Sequence, residues 1–217
     1  MTDSRDAPPQ MPSQAPAQIA SAPGESGRLD ALMAAASAAG GRGPAPVELW
    51  NPPDCGEIDM RIAADGTWFY AGTPIGRPAL VRLFASVLTR EDGRFVLKTP
   101  AEKVGLTVED APFLAVDFAE EQAEEGKVLV FRTNLDDIVR CGPGHDLRFA
   151  PGAGVGEVRP YLHVRRGLEA RLTRAAFVDL VERGEVRDVE GVPLFGIASG
   201  GCFYPMMAAA ELDRAST

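Results

Sequence analysis

Apolar and polar positions alternate most clearly at residues 57–62: Ile58, Met60 and Ile62 fall on one side of an extended chain, while Glu57, Asp59 and Arg61 fall on the other. A period of two predicts a half-buried strand. Ala64-Asp65-Gly66 supplies the left-handed positions of a tight turn into residues 67–70, so the segment reads as a hairpin. Pro78 then sits where a first helical turn tolerates it, and Leu80, Val81, Phe84, Val87 and Leu88 form one apolar stripe at helical spacing. Short apolar runs predict strands at 94–98, 104–108, 113–118, 128–133 and 138–141, with 120–125 read as a solvated acidic loop. After a break at CGPGHD the outline repeats, with a strand at 161–164, a connector and a helix over 173–183. Residues 77–84 and 174–181 share Arg, Ala and Val, with Leu or Phe on equivalent faces. An internal structural repeat is expected, although amphipathic helices also resemble one another by physics alone.

Upstream, residues 1–27 carry Pro8, Pro9, Pro12, Pro16 and Pro23 amid Gln, Ser and Ala, a composition with too little apolar area to offset chain entropy; they read as a disordered tail. Residues 28–45 read as a short helix bearing Leu29, Leu32, Met33 and Ala36, stopped by Gly40 and Gly41 and followed by a linker. The expected organisation is an N-terminal α+β domain at 46–141, a C-terminal α+β domain at 142–207 and a tail at 208–217. The fold class is α+β: two similar small domains, each a mainly antiparallel sheet with a helix.

Composition narrows the function classes. With 217 residues and 45% apolar content the chain can bury a real core. Its 22 basic residues face 31 acids, a net charge of −9; residues 47–141 hold 10 basic and 17 acidic side chains, residues 142–217 hold 9 and 10. That distribution leaves no broad basic footprint for duplex nucleic acid and argues against a membrane-surface role. Cys55, Cys141 and Cys202 are far apart, no C-x-x-C is present and no secretory leader is recognised, so neither a disulfide framework nor a zinc knuckle is expected. A reducing cytoplasm fits best. Residues 31–39, ALMAAASAA, are too Ala-rich and too close to Asp30 for a cleaved signal, and no stretch reaches the length of a bilayer span.

No catalytic signature emerges. The Gly-rich run at 151–156 lacks the context of a dinucleotide loop, which must follow a strand and open a helix, because Glu157-Val-Arg-Pro160 prevents that, and it reads as a flexible hairpin loop; no phosphate-binding P-loop exists. Ser199 has the wrong spacing for a hydrolase nucleophile and reads as a sheet-end turn. His145 and His163 lack the spacing and carboxylate neighbours of a metal site. Cys55 reads as a small buried residue locking the Pro-Pro-Asp knuckle, with a nucleophilic role as the alternative. Glu57 and Asp59 would stand roughly 7 Å apart on one strand face, a carboxylate pair for acid and base work or, with Arg61 between them, an ion-pair row. Asp136 and Asp137 read as turn residues. Thr99-Pro-Ala-Glu102-Lys103 reads as a capping box whose amides, with Lys103, either hold an anion or cap one turn between strands. Trp68 and Tyr70 share a strand face near Arg77, either as an aromatic platform for a planar ligand or as packing against the second unit. Arg165, Arg166 and Arg171, with Glu169 between them, are structural ion pairs or a phosphate and carboxylate cradle.

The segments WNPPDCGEIDMRI, DGTWFYAGTPIGR, TPAEK, VEDAPF and VRRGLEARLTR resemble the bacterial family known as domain of unknown function 1285, from about Pro46 to about Met206. The resemblance implies two α+β units arising by duplication, the second pleckstrin-homology-like, with a site between them suited to a nucleotide-like molecule and a role in signal transduction. On the matching positions it implies a cleft drawing on Asp59, Arg61, Trp68, Tyr70, Arg77, Thr99, Glu102, Lys103, Arg165, Glu169 and Arg171. The expected function is a non-enzymatic sensor or adaptor that binds a small anionic ligand, needs no cofactor or metal and signals to a protein partner. The alternatives are a hydrolase using Glu57, Asp59 or Cys55, and a pure protein-interaction module.

Overall fold

A computed structural model of the protein describes residues 25–39, 43–124, 126–152, 154 and 157–211. The proline-rich segment and the end of the C-terminal tail expected from the sequence lie outside the described residues.

Among the described residues the strands form a succession of five three-stranded antiparallel meanders. The first is β1 (Asp54–Ile62), β2 (Trp68–Tyr70) and β3 (Thr73–Pro74); the second is β4 (Leu88–Glu91), β5 (Arg94–Lys98) and β6 (Lys103–Val108). The third is β7 (Phe113–Ala123), β8 (Gly126–Thr133) and β9 (Ile138–Arg140); the fourth is β10 (Leu147–Pro151), β11 (Val158–Arg165) and β12 (Leu168–Leu172). The fifth is β13 (Glu185–Val189), β14 (Val192–Ser199) and β15 (Cys202–Ala208). Among the described residues there are three α-helices: α1 (Glu25–Ala39), α2 (Pro78–Ser86) between the first two meanders, and α3 (Arg174–Val181) between the last two.

Meanders one and two join into a six-stranded sheet of order β3-β2-β1-β6-β5-β4, and three and four into another of order β10-β11-β12-β7-β8-β9. Each junction is a parallel pair between the first strand of one meander and the last strand of the next, β1 with β6 and β7 with β12. The two sheets therefore have one topology. The meander–helix–meander order also occurs twice, around α2 and around α3, with β10 lying against β15. The protein is mostly strand, with a sheet-rich N-terminal and a sheet-rich C-terminal part.

The break expected at Cys141 falls inside the second sheet, because β7, β8 and β9 pair into the sheet that holds β10, β11 and β12. The division between sheets falls instead between Val108 and Phe113. Residues 120–123, expected as loop, continue β7 as a ribbon with β8.

Local signals explain the elements that were anticipated. Ile58, Met60 and Ile62 are buried while Glu57 and Asp59 are exposed, as the alternation of β1 requires. Gly66 turns the chain at φ +83, and a Cβ there would stand 2.9 Å from Asn134 Nδ2 and 3.2 Å from Leu114 Cδ1, so the turn also nests against the second sheet. Pro78 opens α2, which buries Leu80, Val81, Phe84 and Ala85. Thr173 caps α3 by accepting from the Ala176 amide. One apolar cluster runs through everything, from Leu32 and Ala36 of α1 through Phe84, Phe113 and Phe131 to Leu162 and Leu180. The two sheets share a core.

Candidate functional site

At one end of the first sheet, beside the Pro-Pro-Asp knuckle, charges are tightly matched. Arg94 Nη1 donates to Asp54 (2.9 Å) and its Nε lies 2.8 Å from Glu57, while Glu91 sits between Lys98 Nζ (2.7 Å) and Lys103 Nζ (2.9 Å). Hydrogen bonds from Lys98 and then Lys103 hold the Glu91 carboxyl below its ordinary range, and the one that Lys103 donates to Glu91 holds the Lys103 ammonium above its own. Lys103 thus has its charge met. Thr99 is fully buried, and its Oγ accepts the amides of Ala101 (3.3 Å) and Glu102 (3.2 Å). No helix follows it: residues 99–102 are the loop of the β5–β6 hairpin, closed by the Thr99 amide donating to the Glu102 carbonyl. The capping-box expectation holds for the Thr99 side chain alone, and the amides considered for an anion are taken.

On β1 and β2, Arg61 pairs with Glu109 and lies 4.2 Å over the Phe69 ring. Asp59 is exposed. Trp68 is 1% exposed and Tyr70 half-buried against the same core, so the Trp68 ring is packing and not an open platform. The Trp68 indole N–H meets no acceptor among the described residues. Arg77 stands exposed at the N-cap of α2. Cys55, expected to be buried, is exposed, because β1 bulges against β6 between Asp54 and Glu57, with Gly56 at φ +78.

In the second sheet Glu169 is gripped by Arg148 through two bonds of 2.6 Å. Arg171 reaches out of the sheet to the Ala64 carbonyl (2.9 Å) and lies 3.1 Å from Asp110, which accepts from the Tyr161 hydroxyl (2.6 Å). Burial, followed by that hydrogen bond, raises the Tyr161 phenol above its ordinary range. Ser199 ends β14 at the β14–β15 turn, as expected, and is buried there; its Oγ accepts from the Leu129 amide and donates to the Cys141 carbonyl, both at 2.8 Å, clamping the third sheet to the second. His145 and His163 stack at 5.9 Å, and no group of three or more His, Cys, Asp or Glu among the described residues is arranged to hold a metal.

Arg165 behaves differently. Its side chain, 14% exposed, is held within its own sheet by Asp137, 2.7 Å from Nη1, and by the Phe113 ring, whose centre lies 4.8 Å from the guanidinium, and it crosses the seam through Nη2, which donates to the Ala85 carbonyl of α2 (3.1 Å). Beside it Arg82 of α2 lies 3.4 Å from Asp136 in the β8–β9 turn. Between them opens a recess of about 510 Å³ walled by α2, the β8–β9 turn, Ser37 of α1 and Arg165. Neighbouring Arg166 donates to the Ala45 carbonyl and lies 3.3 Å from Glu48, a second latch across the seam.

Of the eleven residues expected to share one cleft, only Arg165 lines this recess; Thr99 and Glu102 share a hairpin loop that leads into Lys103 of β6, Asp59, Arg61, Trp68 and Tyr70 share two strands, Arg77 is the N-cap of α2, and Glu169 and Arg171 share β12. Arg82, Asp136 and Asp137 were missed as site residues. The adjacent acids after Asn134 were the available signal, but their partners are distant in sequence.

Residues 45–111 match the family model of the DUF1285 N-terminal domain, a domain of unknown function, and residues 112–206 that of the C-terminal domain of DUF1285, a protein of unknown function. The chain belongs to the DUF1285 family. A DUF1285 family protein of known crystal structure from Silicibacter pomeroyi DSS-3 is 52% identical over 84% of this chain and 98% of its own, with a TM-score of 0.77. Another, from Shewanella baltica OS155, is 32% identical over 58% of this chain and 91% of its own, with a TM-score of 0.46. No curated protein matches. The two DUF1285 domains meet where the sheets divide, so the Arg165 recess lies on the domain boundary. Among the described residues no helix is long and apolar enough to cross a membrane.

Proposed function

We propose that this DUF1285 protein is a non-enzymatic sensor or adaptor in signal transduction, taking a small anionic, nucleotide-type molecule into the recess between its domains. One observation supports the reading: the recess of about 510 Å³ is walled by α2 from one domain and by the β8–β9 turn and Arg165 from the other, so an occupant touches both. A volume of this order suits a small ligand. Arg82 and Arg165 offer forked donors for phosphate or carboxylate, in competition with Asp136 and Asp137. Arg82, half exposed and more loosely paired, is released at the lower cost. Occupancy becomes a signal to the extent that affinity differs between two settings of the domains. A cytoplasmic setting, in which the free thiols stay reduced, and a pleckstrin-homology-like second domain belong to the same reading.

Thermal-shift measurements with ADP, glucose 6-phosphate and succinate at millimolar concentration test it, since a ligand of the folded state alone raises Tm. The expected result is a saturable rise with at least one compound that Arg82→Ala diminishes. No rise with any of them overturns the reading. The exposed Val186, Val189 and Val192 around the β13–β14 hairpin favour, as a second reading, a protein-interaction module. The hydrolase alternative gains nothing from Glu57, which is engaged by Arg94.

A further inference from the structure

A second recess, of about 670 Å³, lies within the C-terminal domain between the start of β11, the end of β12 and the first turn of α3. Three guanidiniums line it in a chain whose net charge is −9. They are held to different degrees. Arg171 is anchored by Asp110 and the Ala64 carbonyl, Arg159 pairs with nearby Glu157 at 3.2 Å, and Arg174, exposed at the start of α3, makes no hydrogen bond or ion pair with the described residues. Glu157 is already met by Arg159 and the Gly154 amide (2.8 Å), so it does not cancel Arg174. The remaining wall includes Val158, Leu172 and Phe177.

A third recess, of about 370 Å³, adjoins this one: both are lined by Glu157 and Val158, and Phe149 of the third lies 6.4 Å, ring centre to ring centre, from Phe177 of the second. Apart from Glu157, already met by Arg159 and the Gly154 amide, its wall is apolar and rich in methionine, with Met206 and Met207, and the acid Glu211 stands on its rim. The two recesses form one groove that is basic at the α3 end and apolar at the other. We propose that this groove binds a single-chain amphiphilic anion of the class of a medium-chain carboxylate. Its head group rests on Arg174 and Arg159 through charge-assisted hydrogen bonds, and its chain runs over Val158 toward Phe149 and Met206. Glu211 at the far rim excludes the reverse orientation. Thioether side chains adapt to chains of different length. The inference is independent of the reading of the interdomain recess.

Calorimetric titration of the full chain with sodium hexanoate, octanoate and decanoate below their micellar concentrations tests it. Affinity is expected to rise about fourfold per added methylene, the increment of hydrocarbon burial, and 1-decanol is expected to bind at least about tenfold more weakly than decanoate. Arg174→Gln should weaken decanoate about tenfold, Met206→Glu should flatten the chain-length series, and Arg82→Ala should change neither. A flat series, equal binding of decanol, indifference to Arg174→Gln, or a signal only with anionic phospholipid vesicles overturns the proposal. Circular dichroism melts establish that the variants fold; should Met206→Glu fail, Arg174→Gln on the exposed face of α3 still decides.

Discussion

Arg165→Ala is the most informative perturbation, because one side chain carries three interactions: two hold it within its own domain, at Asp137 and Phe113, and one reaches across the domain boundary to the Ala85 carbonyl. Truncation removes the contact to Asp137 at 2.7 Å, the bond to the Ala85 carbonyl at 3.1 Å and the stacking over Phe113, and leaves behind an Asp137 side chain only 22% exposed. Removing one partner of a buried pair costs about 3–5 kcal/mol, chiefly because the remaining charge is stranded. Residual exposure lets water reach Asp137 and pulls the figure to the lower end, about 3 kcal/mol. Against a total stability of roughly 5–15 kcal/mol that is a large fraction. Urea unfolding followed by tryptophan fluorescence, which reports on core-buried Trp68, should show a lower midpoint at unchanged slope. The cycle with Asp137→Asn should give a coupling of at least about 1 kcal/mol. Arg82→Ala, removing a 3.4 Å pair that is 50% and 68% exposed, should stay within about 0.5 kcal/mol. A comparably small effect for Arg165→Ala, or no coupling to Asp137, would refute the assignment of Arg165 as the latch.

Ser199→Ala removes the acceptor of the Leu129 amide in a buried setting and should cost about 1–3 kcal/mol, with faster hydrogen exchange at Leu129 as the local readout. Glu91, held below its ordinary value of 4.5 by Lys98 and Lys103, contributes stability that is full above that pH and is lost as pH falls through its lower folded value; Glu91→Gln should therefore reduce stability at pH 7 and flatten the acid limb below about pH 4.5 in urea titrations. Iodoacetamide with peptide mapping should label exposed Cys55 first and buried Cys141, whose thiol burial pushes up to about 11, only on unfolding. Gly66→Ala, at φ +83 with Asn134 and Leu114 in the way, should destabilise by more than about 1 kcal/mol in the same unfolding assay.

Where burial alternates along a strand or follows one helix face, the sequence was readable: β1 and α2 have the apolar positions their periodicity demands. It misled where burial does not alternate. The outer half of β7 is exposed almost throughout as it runs out in a ribbon with β8, and its acids look like loop; β13 is exposed at every residue and was not seen at all. The CGPGHD turn looked like a boundary because Gly and Pro punctuate locally, yet β7 pairs in parallel with β12, more than fifty residues away, and that pairing leaves no local trace. The site failed for the same reason. Arg165 stood out as one of several closely spaced arginines, but Asp137 is brought to it by the pairing of the second sheet and the Ala85 carbonyl by the packing of α2 against that sheet.

A three-stranded meander has two edges, and each must be paired, covered or blunted. Four of the five meanders meet this need by the parallel junctions β1–β6 and β7–β12. The fifth has no such junction: it depends on β10 lying against β15, on the burial of Phe195, Ile197 and Tyr204, and on the Ser199 clamp. Its free edge β13 carries Glu185, Arg187 and Asp188, charges that discourage further pairing. It follows that the third sheet is the least anchored part of the C-terminal domain and should open first in hydrogen exchange, ahead of the β7–β12 junction. Any partner of the hairpin would engage the valines at its tip, Val189 and Val192, and not extend the sheet along β13.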